Sequence, residues 1–198
     1  MNLTVVRFLT ACSLFASLCV SAQTAQPTGW RAPEAIVAPS HFSGVHGLAI
    51  DAHGRLLACS IIGNSIWQVD RTTGETNVFI GSPDGQADDV AIGPQGQMAW
   101  TSYLMGVVHY RASARAPIQV VASNLPGINS VAFDQKTGKL YVSQVFAGDA
   151  LWEIDVTGAN PPRLIAKDLG GLDGFQVGGD GMIYGPLWFK HSVVRIDP

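Results

Sequence analysis

The chain has 198 residues, 47% apolar and 14% charged, with 22 Gly and 11 Pro. That is enough for a domain with a sizeable core and too little charge for a disordered chain. The net charge of −3 at pH 7, with no basic run, lacks the electrostatic footprint of a nucleic-acid binder.

The N-terminus reads as an export signal. Arg7 supplies a positive start, Phe8 to Val20 is almost wholly apolar, and Val20-Ser21-Ala22 has the small-residue pattern of a cleavage site. Residues 1–22 are therefore expected to be removed, with cleavage near Ala22 and a secreted or periplasmic mature protein starting at about Gln23. Leu9-Thr10-Ala11-Cys12 resembles a lipoprotein cleavage box, but the apolar segment runs on past Cys12 with few apolar residues ahead of it. The run is short for a bilayer and no second one follows, so no membrane span is expected after signal removal. Cys12 and Cys19 leave with the signal, so Cys59 has no disulfide partner and no cysteine-based zinc site. It sits in Leu56-Leu57-Ala58-Cys59 and reads as a buried, inert thiol. Residues 23–33 read as a linker and 34–198 as the folded domain.

That domain repeats itself. Val45–Asp51, Ala87–Gly93, Ile128–Asp134 and Leu172–Gly178 share one plan: a polar residue (His46, Asp88, Asn129, Asp173), a small or polar one, then alternating apolar residues. The spacings are 42, 41 and 44 residues. Glycine turns follow at Gly54, Gly96, Gly138 and Gly181, leading into Arg55–Ser60, Gln97–Tyr103, Lys139–Val145 and Met182–Trp188. Third runs follow at Ser65–Asp70, Gly106–Arg111, Ala150–Asp155 and Ser192–Asp197, and fourth runs at Thr76–Gly81, Ile118–Ser123 and Arg163–Lys167. Short β-branched or aromatic runs between turn residues are strands, and no mature segment keeps a helical period.

Four strands per unit at this period predict an all-β fold, a β-propeller of four-stranded blades with about four blades present. Glu34–Pro39 resembles the fourth runs and could close the last blade as its outer strand. The alternative, and the expected one, is a truncated piece of a larger propeller, because the sequence stops in mid-blade after Ile196-Asp197-Pro198.

First strands line a propeller's channel, so His46, Asp88, Asn129 and Asp173 are expected on one ring near one mouth. Two carboxylates, an amide oxygen and an imidazole there would suit a divalent cation, calcium before zinc, since most donors are oxygens. The same residue types also cap strand starts by bonding nearby backbone N–H groups, and that reading stays open. Asp51, Asp134, Asp70, Asp155 and Asp197 read as turn residues, and Trp67 and Trp152 as packing between blades. His41, His53, His109 and His191 form no metal-binding spacing. The chain has neither a Gly-x-Ser-x-Gly elbow nor a phosphate loop.

Leu172-Asp173-Gly174-Phe175, then Gly179–Tyr184, then Val193–Pro198 resemble a late blade of the gluconolactonase and senescence-marker-protein (regucalcin) family. Ile128-Asn129-Ser130 and Ala87-Asp88-Asp89 are similar to two other blades of that family, and the likeness covers about residues 34–198. The resemblance implies a six-bladed propeller that holds a divalent cation, often calcium, and opens lactones or related esters. It places Asp88, Asn129 and Asp173 at metal-ligand positions and makes Asp173 the base that activates water. His46 departs from the pattern, which has a glutamate there, and becomes a fourth ligand or substrate contact. The expected partner is a small lactone or ester. Two rivals stand beside this reading: a non-catalytic NHL-type binding module, and a propeller lyase with His46 as base.

Overall fold

The computed structural model describes Gly29, residues 31–39 and residues 42–198. Residues 1–22, expected from the sequence to be an export signal, with Cys12 and Cys19, and also His41 lie outside the described set. Residues 35–198 form one compact unit. The described part of residues 1–34 carries neither helix nor strand.

Fifteen strands are described, and they follow the repeat. The first blade holds β1 (Val45–Ile50), β2 (Leu56–Ser60), β3 (Ser65–Val69) and β4 (Thr76–Ile80). The second holds β5 (Asp89–Ile92), β6 (Met98–Ser102), β7 (Val107–Arg111) and β8 (Gln119–Ala122). The third holds β9 (Ile128–Phe133), β10 (Leu140–Gln144), β11 (Ala150–Ile154) and β12 (Arg163–Lys167), and the fourth β13 (Gln176–Val177), β14 (Ile183–Leu187) and β15 (Ser192–Ile196). Each blade is an antiparallel meander, so three sheets have four strands and one has three. Among the described residues no helix is long and apolar enough to cross a membrane.

Burial of both faces of the sheets makes them blades. Leu57, Cys59 and Ile66 of the first blade meet Val90, Met98 and Trp100 of the second in one core. Ala99 and Val108 of the second meet Val131, Leu140 and Val142 of the third in another. Tyr141 and Leu151 then meet Leu172, Phe175 and Ile183 of the fourth. Within β6 and β10 neighbouring residues therefore point into different cores, as the two-residue period of a strand requires. The innermost strands β1, β5, β9 and β13 follow one another in space. Residues of all four, including Ile50, Asp89, Val131 and Val177, line one cavity of about 260 Å³.

Two details differ from the sequence reading. Strand β13 has only two residues, because Gly174 takes a left-handed φ of 72° and bends the chain just after Asp173. Residues 34–39 form no strand and do not complete the fourth blade. Instead the Ile36 carbonyl lies against Gly74, in the β3–β4 turn of the first blade. The nearby Pro39 has no N–H to give a sheet ladder.

A common irregularity positions the polar residues. Between the pairs Val45–Ser60 and Leu48–Ala58, two residues, His46 and Gly47, oppose Cys59 alone. Asn129 and Ser130 likewise oppose Ser143. Asp88 donates its N–H to Thr101 O while Asp89 pairs with the same Thr101. In the fourth blade three residues, 173–175, face two, between Leu172–Leu187 and Gln176–Tyr184. Every inner strand thus carries one extra residue, a β-bulge, which turns a side chain out of the ladder and tightens the local twist.

The first bulge also brings two blades into close contact. Gly47 donates its N–H to Asp88 O at 2.8 Å. A Cβ on Gly47 would lie 2.5 Å from Asp89 Oδ1 and 2.6 Å from Asp89 Cα. We expect Gly47→Ala to destabilise the fold by about 1–3 kcal/mol through overpacking. Gly179→Ala, where an added Cβ meets nothing within 4 Å, should change stability by less than about 0.5 kcal/mol. Thermal unfolding of the two variants compares them directly, and an unshifted Gly47→Ala would refute the close-contact account.

Candidate functional site

The four bulges set the polar residues at one mouth, at the start of each inner strand. His46 and Asp88 meet there: the imidazole Nδ1 is 3.5 Å from Asp88 Oδ2, with the His46 side chain half exposed and that of Asp88 buried. Asn129 is buried, and its Oδ1 accepts a hydrogen bond from the Ser130 hydroxyl at 2.9 Å. The same hydroxyl is 3.5 Å from Asp173 Oδ1, so it stands between two acceptors in neighbouring blades. The structure therefore joins His46 with Asp88, and Asn129 with Asp173 through Ser130.

Asp88 is the electrostatically unusual member. Its Oδ2 is buried and has no hydrogen-bond partner. Burial pushes its carboxyl up from the ordinary 3.8 to about 6; the His46 imidazole pulls the other way, and Asp89 and Asp173 add to the rise. A buried carboxylate with a free lone pair is costly unless something cationic or protic reaches it.

The second residue of each bulge was not singled out in the sequence, and it joins the blades. Asp89 accepts from Val90 N at 2.8 Å with Oδ1 and from Val131 N, in the third blade, at 3.0 Å with Oδ2. Burial raises its pKa, although those two N–H groups and His46 oppose the rise. Ser130 accepts from Gly174 N in the fourth blade at 2.7 Å, and the Thr101 hydroxyl donates to Asn129 O. The sequence signal for Asp89 and Ser130 was the small or polar position that follows each polar one. It was visible as a pattern, but nothing in one sequence says that its side chains cross to the next blade.

Other candidates have structural work. Asp51 accepts from His53 N and from Arg55, and Asp134 from Lys136 N and the Thr137 hydroxyl. Asp70 and Asp155 accept from backbone N–H groups of their own turns. Trp67 packs on Phe42 at 5.1 Å. Trp152 packs against the second–third blade core and donates to Gln144 Oε1 at 2.7 Å. His109 is buried, stacked on Trp100, 3.2 Å from the Ser102 hydroxyl, and burial holds its pKa down. Cys59 is fully buried, and burial with the nearby Asp89 and Asp88 charges pushes its thiol pKa well up. It is no nucleophile at neutral pH.

No family model matches the chain, and no curated protein matches it by sequence. Its fold is shared with solved propellers. A streptogramin B lyase superposes with TM-score 0.67 at 14% identity, over 82% of this chain and 54% of that one. A chain of a nidogen–laminin complex gives 0.69 at 18%, over 79% and 62%. A gluconolactonase from Xanthomonas campestris gives 0.61 at 19%, over 76% and 57%. This chain thus spans little more than half the length of these structures. The resemblance to gluconolactonases holds for the propeller fold.

The raised Asp88 pKa has a sign that can be tested. Because the folded value, about 6, lies above the ordinary 3.8, the protonated carboxyl suits the fold better. Its contribution to stability is full below about pH 4 and lost as pH rises through 6. In protein treated with a chelator, Asp88→Asn should therefore be more stable than the parent at pH 7.5, by roughly 2 kcal/mol. The advantage should shrink to nothing near pH 4. Denaturant midpoints across that range measure it, and a variant less stable at pH 7.5 would contradict the assignment.

Proposed function

We propose that this mouth is the site of a metal-dependent hydrolase of lactones or related esters, in an exported protein. The observation that carries the reading is the buried Asp88 Oδ2, which no protein donor satisfies, set 3.5 Å from His46 and close enough to Asp173 for the charges to interact. The donor set fits a hard cation: carboxylates from Asp88 and Asp173, and the amide oxygen of Asn129. Among the described residues no three His, Cys, Asp or Glu side chains are grouped to hold a metal. The amide oxygen and water are therefore needed to complete the set. Calcium suits such oxygens better than zinc does. A divalent cation bound there would polarise a lactone carbonyl and stabilise the charge developing on its oxygen.

The chain's own residues have separable tasks. Asp173 is half-buried, and its Oδ1 lies near the Ser130 hydroxyl, which orients it. It takes the proton of the attacking water. His46, half exposed at the rim of the polar cluster, contacts the substrate. Asp88 and Asn129, both buried, hold their oxygens still because the bulges are pinned to neighbouring blades, by Gly47 N on Asp88 O and by Gly174 N on the Ser130 hydroxyl.

The His46–Asp88 pair favours a second reading. An imidazole oriented by a carboxylate is the usual arrangement of a general base, and it supports a lyase in which His46 removes a proton and a leaving group departs by elimination.

The test is hydrolysis of simple aldonolactones by the full chain, with calcium and with a chelator. Asp173→Ala should lower the metal-dependent rate about 100-fold or more with unchanged circular dichroism, whereas His46→Ala should act mainly on KM. Unchanged turnover in Asp173→Ala rejects the hydrolase roles. Unsaturated products lost in His46→Ala assign the lyase. A folded protein that neither binds calcium in calorimetry nor turns over substrate is the NHL-type binding module.

A further inference from the structure

The second strand of each blade runs back to the mouth where the polar residues stand, so the loop from second to third strand opens there too. Hydrogen bonds fix this placement. Ile61 N donates to Gly44 O at 3.0 Å, Val145 N to Gly127 O at 2.8 Å, and Trp188 N to Gly171 O at 2.8 Å. Each acceptor lies two residues before a polar hub residue. In the second blade the Ser102 hydroxyl reaches Gln86 O, again two residues before Asp88.

Every one of these loops exposes large apolar side chains. Ile62 is 64% exposed, Leu104 66%, Met105 55%, Phe146 56%, Trp188 58% and Phe189 57%. Ile62, Leu104 and Phe189 each lie sixteen residues after His46, Asp88 and Asp173, and Phe146 lies seventeen after Asn129. The apolar residues are therefore as much a part of the repeat as the polar ones. They are also organised. Phe146 sits at ring-centroid distances of 5.8 Å from Trp188 and 5.7 Å from Phe189, edge to face in both cases. Its backbone holds a left-handed φ of 66°, and Ala147 N bonds back to Val145 O across it. A bulky residue adopts that tight turn only under strain, which points to use of the outward ring. Between the second and third blades, Leu104, Met105, Leu125, Pro126 and Ala147 line a cleft of about 510 Å³, a small-molecule size.

We infer that this rim is a subsite for the apolar part of the substrate, so that the site takes lactones or esters bearing an aliphatic or aromatic group in preference to short, hydrophilic ones. The inference rests on the hydrolase reading for the bond that is cleaved, but not for the binding. Exposed apolar residues that surround a polar centre through all four blades suit a ligand with a reactive head and a greasy body. A membrane surface fits less well. The loops at 61–64, 103–106, 145–149 and 188–191 contain a single Lys or Arg, Lys190, where anionic headgroups would call for a basic cluster.

The experiment is calorimetry of the full chain with γ-nonalactone and γ-butyrolactone, which share a ring and differ by a pentyl chain. γ-Nonalactone should bind at least about tenfold tighter. Phe146→Ser, Trp188→Ser and Leu104→Ser should each weaken it severalfold with unchanged circular dichroism, and Val120→Ser, at an equally exposed apolar position of the outer strand β8, should bind it as the parent does. Equal affinity for the two lactones, no binding of either, or rim variants that bind like the parent overturn the inference. So does rim-dependent sedimentation with phosphatidylcholine–phosphatidylglycerol vesicles without rim-dependent lactone binding. Rim-dependent binding of γ-nonalactone without hydrolysis of either lactone leaves the subsite standing and removes the hydrolase.

Discussion

In β6, Met98 and Trp100 enter one core and Ala99, between them, enters the next. That alternation is the constraint on which the rest depends. A sheet with one wet face would read as alternating polar and apolar residues, whereas β6 and β10 are buried throughout. Because the apolar area removed from water lies between sheets, the inner strand ends are free of core duty and can carry polar groups. The hub is where the blades' polar residues collect because the cores do not need those positions.

Much of this was legible in the residues. The repeat period and the turn glycines located nearly every strand to within a residue or two, since short β-branched runs between Gly and Asp leave few alternatives. The period also pointed to the pairing of positions that the structure shows, His46 beside Asp88 and Asn129 linked to Asp173 through Ser130. What did not follow was register. A bulge is a mismatch between two strands, and a single strand's sequence does not state which partner residue it skips. Asp89 and Ser130 were therefore seen as part of a pattern without their role across blades. The short β13 arose from the same blindness, because Gly174 reads equally well as a strand glycine or as a left-handed bend. Residues 34–39 misled by composition: Ile36 and Val37 look like an outer strand, yet the segment lies beside the turn at Gly74.

Adjacent carboxylates with different surroundings show how one bulge divides its labour. Asp89 is buried but holds two backbone N–H groups, one in its own strand and one in the third blade. It is a joint, and its charge is compensated by dipoles. Asp88, one residue earlier, has the half-exposed His46 beside Oδ2 and no donor on that oxygen. It is left open. Two groups of identical chemistry are separated in role by the direction in which the extra residue turns them.

The single surplus residue in each inner strand also shapes how such a protein can change over generations. Removing one codon at 46–47, 88–89, 129–130 or 173–175 would restore an unbroken ladder, with the preceding connection absorbing the shift, and would withdraw one polar side chain from the hub. The reverse event would add one. Duplicated units built this way acquire and discard chemistry by edits of length at the centre, while the packed wheel around it continues to fold.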